Sequence, residues 1–130
     1  PYGDLERYSD DLRDLSTLTV AKFRAKYAAI IERCCSQLES NSFACFVVGD
    51  YRDKDGFFNN LPGETIAAFE RAGLRLYNYA ILVNVTGSLP LRIHAQCVGS
   101  RKLGTTHQSV VIFAKGQPKE FVKNWKLEIE

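Results

Sequence analysis

No apolar run in these 130 residues approaches the roughly 20 residues that a membrane-spanning helix needs, so no bilayer-crossing segment is expected. The opening residues are polar and acidic, unlike a signal peptide with its apolar centre. The four cysteines, Cys34, Cys35, Cys45 and Cys97, contain no pair at the Cys-x-x-Cys spacing of a zinc or redox site. Cys34 and Cys35 would point about 100° apart on a helix, and Cys45 falls inside an apolar run. Packing as small hydrophobes in a reducing cytoplasm is therefore expected, with no metal site. No Ser-His-Asp or Cys-His arrangement offers an activated nucleophile, and no Gly-x-Gly spacing lies between a strand and a helix. Acidic residues are missing from positions 71 to 119, which carry seven Lys/Arg and both histidines, whereas positions 1 to 70 hold twelve Asp/Glu against eight Lys/Arg. The net charge of +2 hides that segregation. An acid-free stretch with Arg92, Arg101, Lys102 and Lys115 suits a phosphate backbone, although a solvated basic face reads the same from charge alone.

What is present is ordinary for a soluble globular chain: 45% hydrophobic and 25% charged residues. A chain of this length makes one domain, residues 1–130, and buries roughly two thirds of its unfolded surface. Ser42 to Asp50 (SFACFVVGD) organises it. Phe43 to Val48 is an unbroken run of aromatic, β-branched and small apolar residues, as a strand buried on both faces requires. Gly49 and Asp50 end it. Ligands of open α/β sheets gather beyond the carboxyl ends of strands, which makes Asp50 and Arg52 candidate site residues, against a competing reading as polar groups that stabilise a turn.

In chain order, Pro1 to Ser16 is a polar, acidic loop. A helix is predicted from about Thr19 to Leu38, where Val20, Phe23, Tyr27, Ile30, Ile31, Cys34, Cys35 and Leu38 recur at three- and four-residue intervals. A serine or threonine among Ser16, Thr17 and Thr19 would cap it. The turn-rich stretch from Tyr51 to Gly63 follows, with Pro62-Gly63 among its breakers. A shorter helix is predicted from about Glu64 to Ala72, then a strand from Leu76 to Val85. Thr86 to Gln108 reads as a long loop, of the kind that is usually functional or disordered. Ser109 to Ala114 is a third strand, and a terminal helix or tail carries Phe121, Val122 and Trp125. The helix between the first two strands makes them parallel, and the third can pair antiparallel beside either. If a strand preceded Pro1, the first helix would be a crossover too and both helices would fall on one face of the sheet, leaving the other in need of cover.

Several ordered pieces carry a resemblance: Pro1-Tyr2-Gly3-Asp4-Leu5-Glu6, Tyr8-Ser9-Asp10-Asp11, Asp14-Leu15-Ser16, FVVGDYRDKDG, Leu76-Tyr77-Asn78, Gly87-Ser88-Leu89-Pro90 and SRKLGTTHQSVVIFAKG. Together they resemble phage and bacterial DNA methylases of the amino-methyltransferase group over nearly the whole chain. The most distinctive piece is Arg101-Lys102-Leu103-Gly104 with His107-Gln108, leading into the last strand and Lys115-Gly116. The resemblance implies an α/β fold: the C-terminal half of a Rossmann-like methyltransferase sheet, mixed, with an antiparallel last strand.

It also implies methyl transfer from S-adenosylmethionine to the exocyclic amine of adenine (N6) or cytosine (N4) in double-stranded DNA. Of the family's signature, a polar residue followed by Pro-Pro-aromatic, only Pro1 and Tyr2 fall within this sequence. Tyr2 takes the place of the aromatic that stacks on a base turned out of the duplex. The cofactor's glycine-rich loop is not in this chain, so a partial domain is expected, with the cofactor-binding half or a self-association partner covering the open face. Arg92, Arg101 and Lys102 are the expected phosphate contacts. His107, beside them, is expected either to bind loop backbone or to carry a proton. The alternative function is a non-catalytic nucleic-acid- or partner-binding module derived from a methyltransferase.

Overall fold

The computed structural model describes residues 7–85 and 89–124, apart from the side chains at 89–92, 122 and 124. A short 3-10 turn, Leu15–Thr17, leads into α1, Val20–Gln37. Thr19, in extended backbone, caps α1 by accepting from the Lys22 N–H, as the sequence predicts. Phe23, Ile31 and Cys35 are buried on its inner side, and Tyr27 packs beside them. The apolar stripe read from the sequence is wider than the buried one. Ile30 is 42% exposed and Cys34 is exposed, and both line an apolar cleft of about 260 Å³ against Ala44, Cys45 and Phe46.

Strand β1, Ser42–Val48, follows, and then α2, Leu61–Arg71. The second helix starts three residues earlier than predicted. Pro62 lies in its first turn, where the missing N–H would have had no intrahelical acceptor in any case, so Pro62-Gly63 opens the helix instead of preceding it. Thr65 is fully buried and donates to the Leu61 carbonyl at 2.8 Å, leaving Tyr27 Oη to donate to Thr65 Oγ1 at 2.7 Å. That bond and the Arg24–Glu64 ion pair, 2.8 Å, join α1 to α2.

Strands β2, Arg75–Val83, and β3, His107–Lys115, complete the sheet, with α3, Leu89–Ser100, between them and α4, Pro118–Asn124, after. The strand order is β1-β3-β2, and β3 pairs antiparallel with both neighbours. β1 and β2 thus run in the same direction with the last strand inserted between them, where the sequence had left its place open. The predicted mixed α/β class, with a reversed last strand, is the observed one. The long loop read between β2 and β3 is a correction: twelve of its residues form α3. Pro90 falls in that helix's first turn, where it is tolerated. Only Ile93 and Cys97 are half-buried among its described side chains, too narrow a stripe to betray a helix by periodicity.

Register assigns the two faces. Ala44, Phe46 and Val48 share a face with Phe113, Val111 and Ser109, and this is the face that α2 and α1 cover. Phe69 stacks on Phe113 at 4.1 Å and meets Phe46 edge-on at 5.7 Å. The opposite face carries Phe43, Cys45 and Val47 with Ala114, Ile112 and Val110. A bulge between Leu76 and Asn78 turns Tyr77 onto it to stack on Phe43 at 5.3 Å. Phe121 of α4 covers only the Phe43 end, at 4.8 Å, and Val47 and Leu82 stay nearly half exposed. No described helix is long and apolar enough to cross a membrane.

Candidate functional site

At the carboxyl end of β1 one carboxylate gathers three backbone donors. The Asp50 carboxylate accepts from the N–H groups of Tyr51 at 2.9 Å, Asn60 at 3.2 Å and Leu61 at 3.1 Å. Asn60 stands at the N-cap of α2 in left-handed backbone, φ 56°, and makes no side-chain cap of its own. Asp50 therefore performs the capping from ten residues away, fastening the end of β1 to the start of α2.

Between those anchors the chain folds into a small hairpin. Arg52 and Phe58 bridge antiparallel. Asp53 N–H donates to the Phe57 carbonyl at 2.8 Å, Gly56 N–H to the Asp53 carbonyl at 3.0 Å, and Phe57 N–H to Asp53 Oδ1 at 2.9 Å. Gly56 has φ +93°, a conformation open to glycine at little cost. The Arg52 guanidinium lies 3.8 Å over the Phe58 ring and donates to the Gly56 carbonyl at 2.8 Å. Lys102 reaches the same turn: its Cε and Nζ lie 2.8 and 2.9 Å from the point a Gly56 Cβ would occupy.

Two clefts flank Asp50. One, about 280 Å³, is lined by Asp50, Tyr51, Arg52 and Phe58 on one side and Ile93, Gln96 and Leu103 to Thr105 on the other. The second, about 400 Å³, is lined by Gly49, Asp50, Asn60, Tyr79, His107 and Ser109 among others. Tyr79 Oη and Ser109 Oγ share a hydrogen bond of 2.5 Å there. Such polar clefts at strand ends can hold a planar polar group by hydrogen bonds and by stacking on the Phe58 or Tyr79 ring.

Of the residues singled out in the sequence, Asp50 and Arg52 line the first cleft, and Asp50 and His107 the second. His107 is exposed at the first position of β3, opposite Val83. Arg101 is exposed just past α3 in left-handed backbone, φ 55°, and its N–H donates to the Cys97 carbonyl at 3.0 Å. Arg92 is in α3, but its side chain, like Pro1 and Tyr2, lies outside the described residues. The sequence missed Phe58, Asn60, Tyr79, Thr105 and Ser109. The Asp55-Gly56 pair is a hairpin signal that could have found Phe58, whereas the Tyr79–Ser109 contact joins residues 30 positions apart and has no local signal. No cluster of three or more His, Cys, Asp or Glu able to hold a metal occurs among the described residues.

The sequence matches no family model and no curated protein. The fold is similar to the crystal structure of a proposed DNA modification methylase from Thermus thermophilus, with a TM-score of 0.57 at 15% sequence identity. The match covers 75% of this chain and 38% of that one, so the chain spans well under half the length of that protein. The architecture is therefore methylase-like.

Proposed function

We propose that these residues form the target-side part of a DNA methyltransferase that transfers a methyl group from S-adenosylmethionine to the exocyclic amine of adenine or cytosine. The observation that carries the reading is the sheet: a reversed last strand inserted between two co-directional strands, similar to a methylase, with a polar double cleft at the carboxyl end of β1. The described residues offer no glycine-rich strand-to-helix turn, and so do not by themselves fit S-adenosylmethionine; none of them is given a role toward it. Aligning two bound substrates requires no protein nucleophile, which agrees with the residue types in the clefts. Tyr2 stacks on the extruded base in this reading, and Arg92, Arg101 and Lys102 neutralise phosphates, with His107 at the cleft wall.

The test is a methylation assay on duplex DNA with S-adenosylmethionine, run on these residues joined to the cofactor-binding half, without which no methylation is expected, followed by mass analysis of the nucleosides for N6-methyladenine and N4-methylcytosine. Methylated base should form; Tyr2→Ala should abolish most of it, and Tyr2→Phe should retain much. Replacing Arg92, Arg101 and Lys102 together should flatten the salt dependence of duplex binding by up to about 0.9 log unit of slope per lost contact. Duplex binding with no methylation and no cofactor binding would replace this reading by the non-catalytic module.

A further inference from the structure

We infer that the hairpin Arg52–Phe58 is a nucleobase-stacking finger, with the Phe57 ring covering a base of the bound DNA; this rests on the DNA-modifying reading above and names its contact surface. Phe57 is 72% exposed, and no ring stacks on it among the described residues. Its neighbour Phe58 is covered by the Arg52 guanidinium, whereas Phe57 projects from a turn that four hydrogen bonds hold in shape: Asp53 N–H to Phe57 O, Gly56 N–H to Asp53 O, Phe57 N–H to Asp53 Oδ1 and Arg52 Nη1 to Gly56 O. An aromatic side chain held outward on braced backbone loses little freedom when it stacks, so more of the contact energy survives as affinity.

The charges around it select nucleic acid. Lys102 lies over Gly56, Arg101 is exposed next to it, and Lys54 is exposed in the turn itself. The carboxylates on this end are Asp50, Asp53 and Asp55. Asp50 and Asp53 accept backbone N–H bonds, and Asp55 is the exposed one. The aromatic tip is thus flanked by cations on its Lys102 side, the combination of π-surface and phosphate-binding charge that tracks nucleic acid without demanding a sequence. The base of the finger, Arg52 and Phe58, lines the cleft at Asp50. A base drawn out of a duplex leaves its neighbours unstacked, and an exposed aromatic on the same hairpin is available to cover one.

The experiment is anisotropy titration of a labelled duplex at several salt concentrations with the wild-type protein, Phe57→Ala, Phe57→Leu and Phe57→Trp. Phe57→Ala should weaken binding about tenfold with the salt slope unchanged, since no charge is removed. Phe57→Leu should weaken it nearly as much, because an apolar side chain without a π-face does not stack. Phe57→Trp should keep the affinity, and its emission should be quenched on DNA binding relative to wild type, in which Trp125 is the one tryptophan. If wild-type protein binds and Phe57→Ala binds within about twofold of it, the finger is overturned while the DNA reading stands. Wild-type protein that binds no DNA overturns both.

Discussion

Asp50→Ala is the perturbation that the site's construction makes most informative. It removes three acceptor contacts, to the N–H groups of Tyr51, Asn60 and Leu61. Asn60 is exposed, so water can replace the carboxylate at its N–H. Leu61 is 5% exposed, and its N–H is left with no intrahelical acceptor in the first turn of α2. Losing a helix cap costs about 1 kcal/mol, and a hydrogen bond to a charged acceptor is worth about 1.5–3 kcal/mol. These overlap because one carboxylate serves all three donors, so the cost is put at about 2 kcal/mol. Asp50→Asn keeps one acceptor oxygen and should lose about 1 kcal/mol. In a domain of this size about 2 kcal/mol lowers the melting temperature by about 8 °C. Urea and thermal unfolding measure the loss, and amide hydrogen exchange at Leu61 locates it. An alanine variant with an unshifted midpoint and unchanged exchange at Leu61 would refute the capping role and return Asp50 to the cleft as a functional group alone.

Gly116→Ala should destabilise by about 2 kcal/mol in urea unfolding, because Gly116 has φ +107° and an added Cβ would lie 2.5 Å from Asn41 Oδ1 and 3.2 Å from the Asn41 backbone nitrogen. Maleimide at about pH 8 should label exposed Cys34 and Cys45 first and Cys35 last: burial pushes the Cys35 thiol up, neighbouring Cys34 adds to that, and Lys115 opposes it. The Ser16 N–H, then the Ser9 and Ser16 hydroxyls, hold the Asp14 carboxyl below its ordinary 3.8. A depressed folded value means that the Asp14 contribution is present above 3.8 and fades as pH falls through the lower value; the Ser16 amide resonance should therefore titrate with a midpoint under 3.8, and a midpoint at or above it would disprove the bond.

The sequence disclosed those elements whose signal is local. Helix α1 follows from apolar residues at three- and four-residue spacing behind Thr19, and the three strands from short apolar runs between turn residues. Helix α3 stayed hidden because its described side chains bury only Ile93 and Cys97, and because Pro90 reads as a breaker unless the helix start is already known. Strand order was beyond reach, since insertion of β3 between β1 and β2 is decided by packing of Phe113 and Val111 beneath α2, contacts between distant residues. The position of Asp50 and Arg52 was legible from the end of β1. Their partners were not: Asp50 caps a helix start ten residues on, and Arg52 lies on a ring that only the folded hairpin delivers.

The residues behind the resemblance divide by what packing demands of them. Lys115 Nζ donates to the Cys35 and Leu38 carbonyls at 2.7 and 2.6 Å, closing the end of α1, and Gly116 makes room for Asn41; both are scaffold. Arg101 is different. It is exposed and left-handed at φ 55°, where an L side chain costs roughly 1 kcal/mol or more and glycine would not. Arg101→Gly should therefore stabilise the fold, by about 0.5 kcal/mol once the greater freedom of glycine in the unfolded chain is set against the relieved strain. If the guanidinium binds phosphate, the same substitution should weaken duplex binding and reduce its salt slope by about 0.9. Stability rising while affinity falls is the signature of a side chain kept for its ligand at the fold's expense. Arg101→Gly with unaltered affinity and slope would show that the charge is merely solvated, and a loss of stability would show that the left-handed turn after α3 depends on a contact of the arginine side chain.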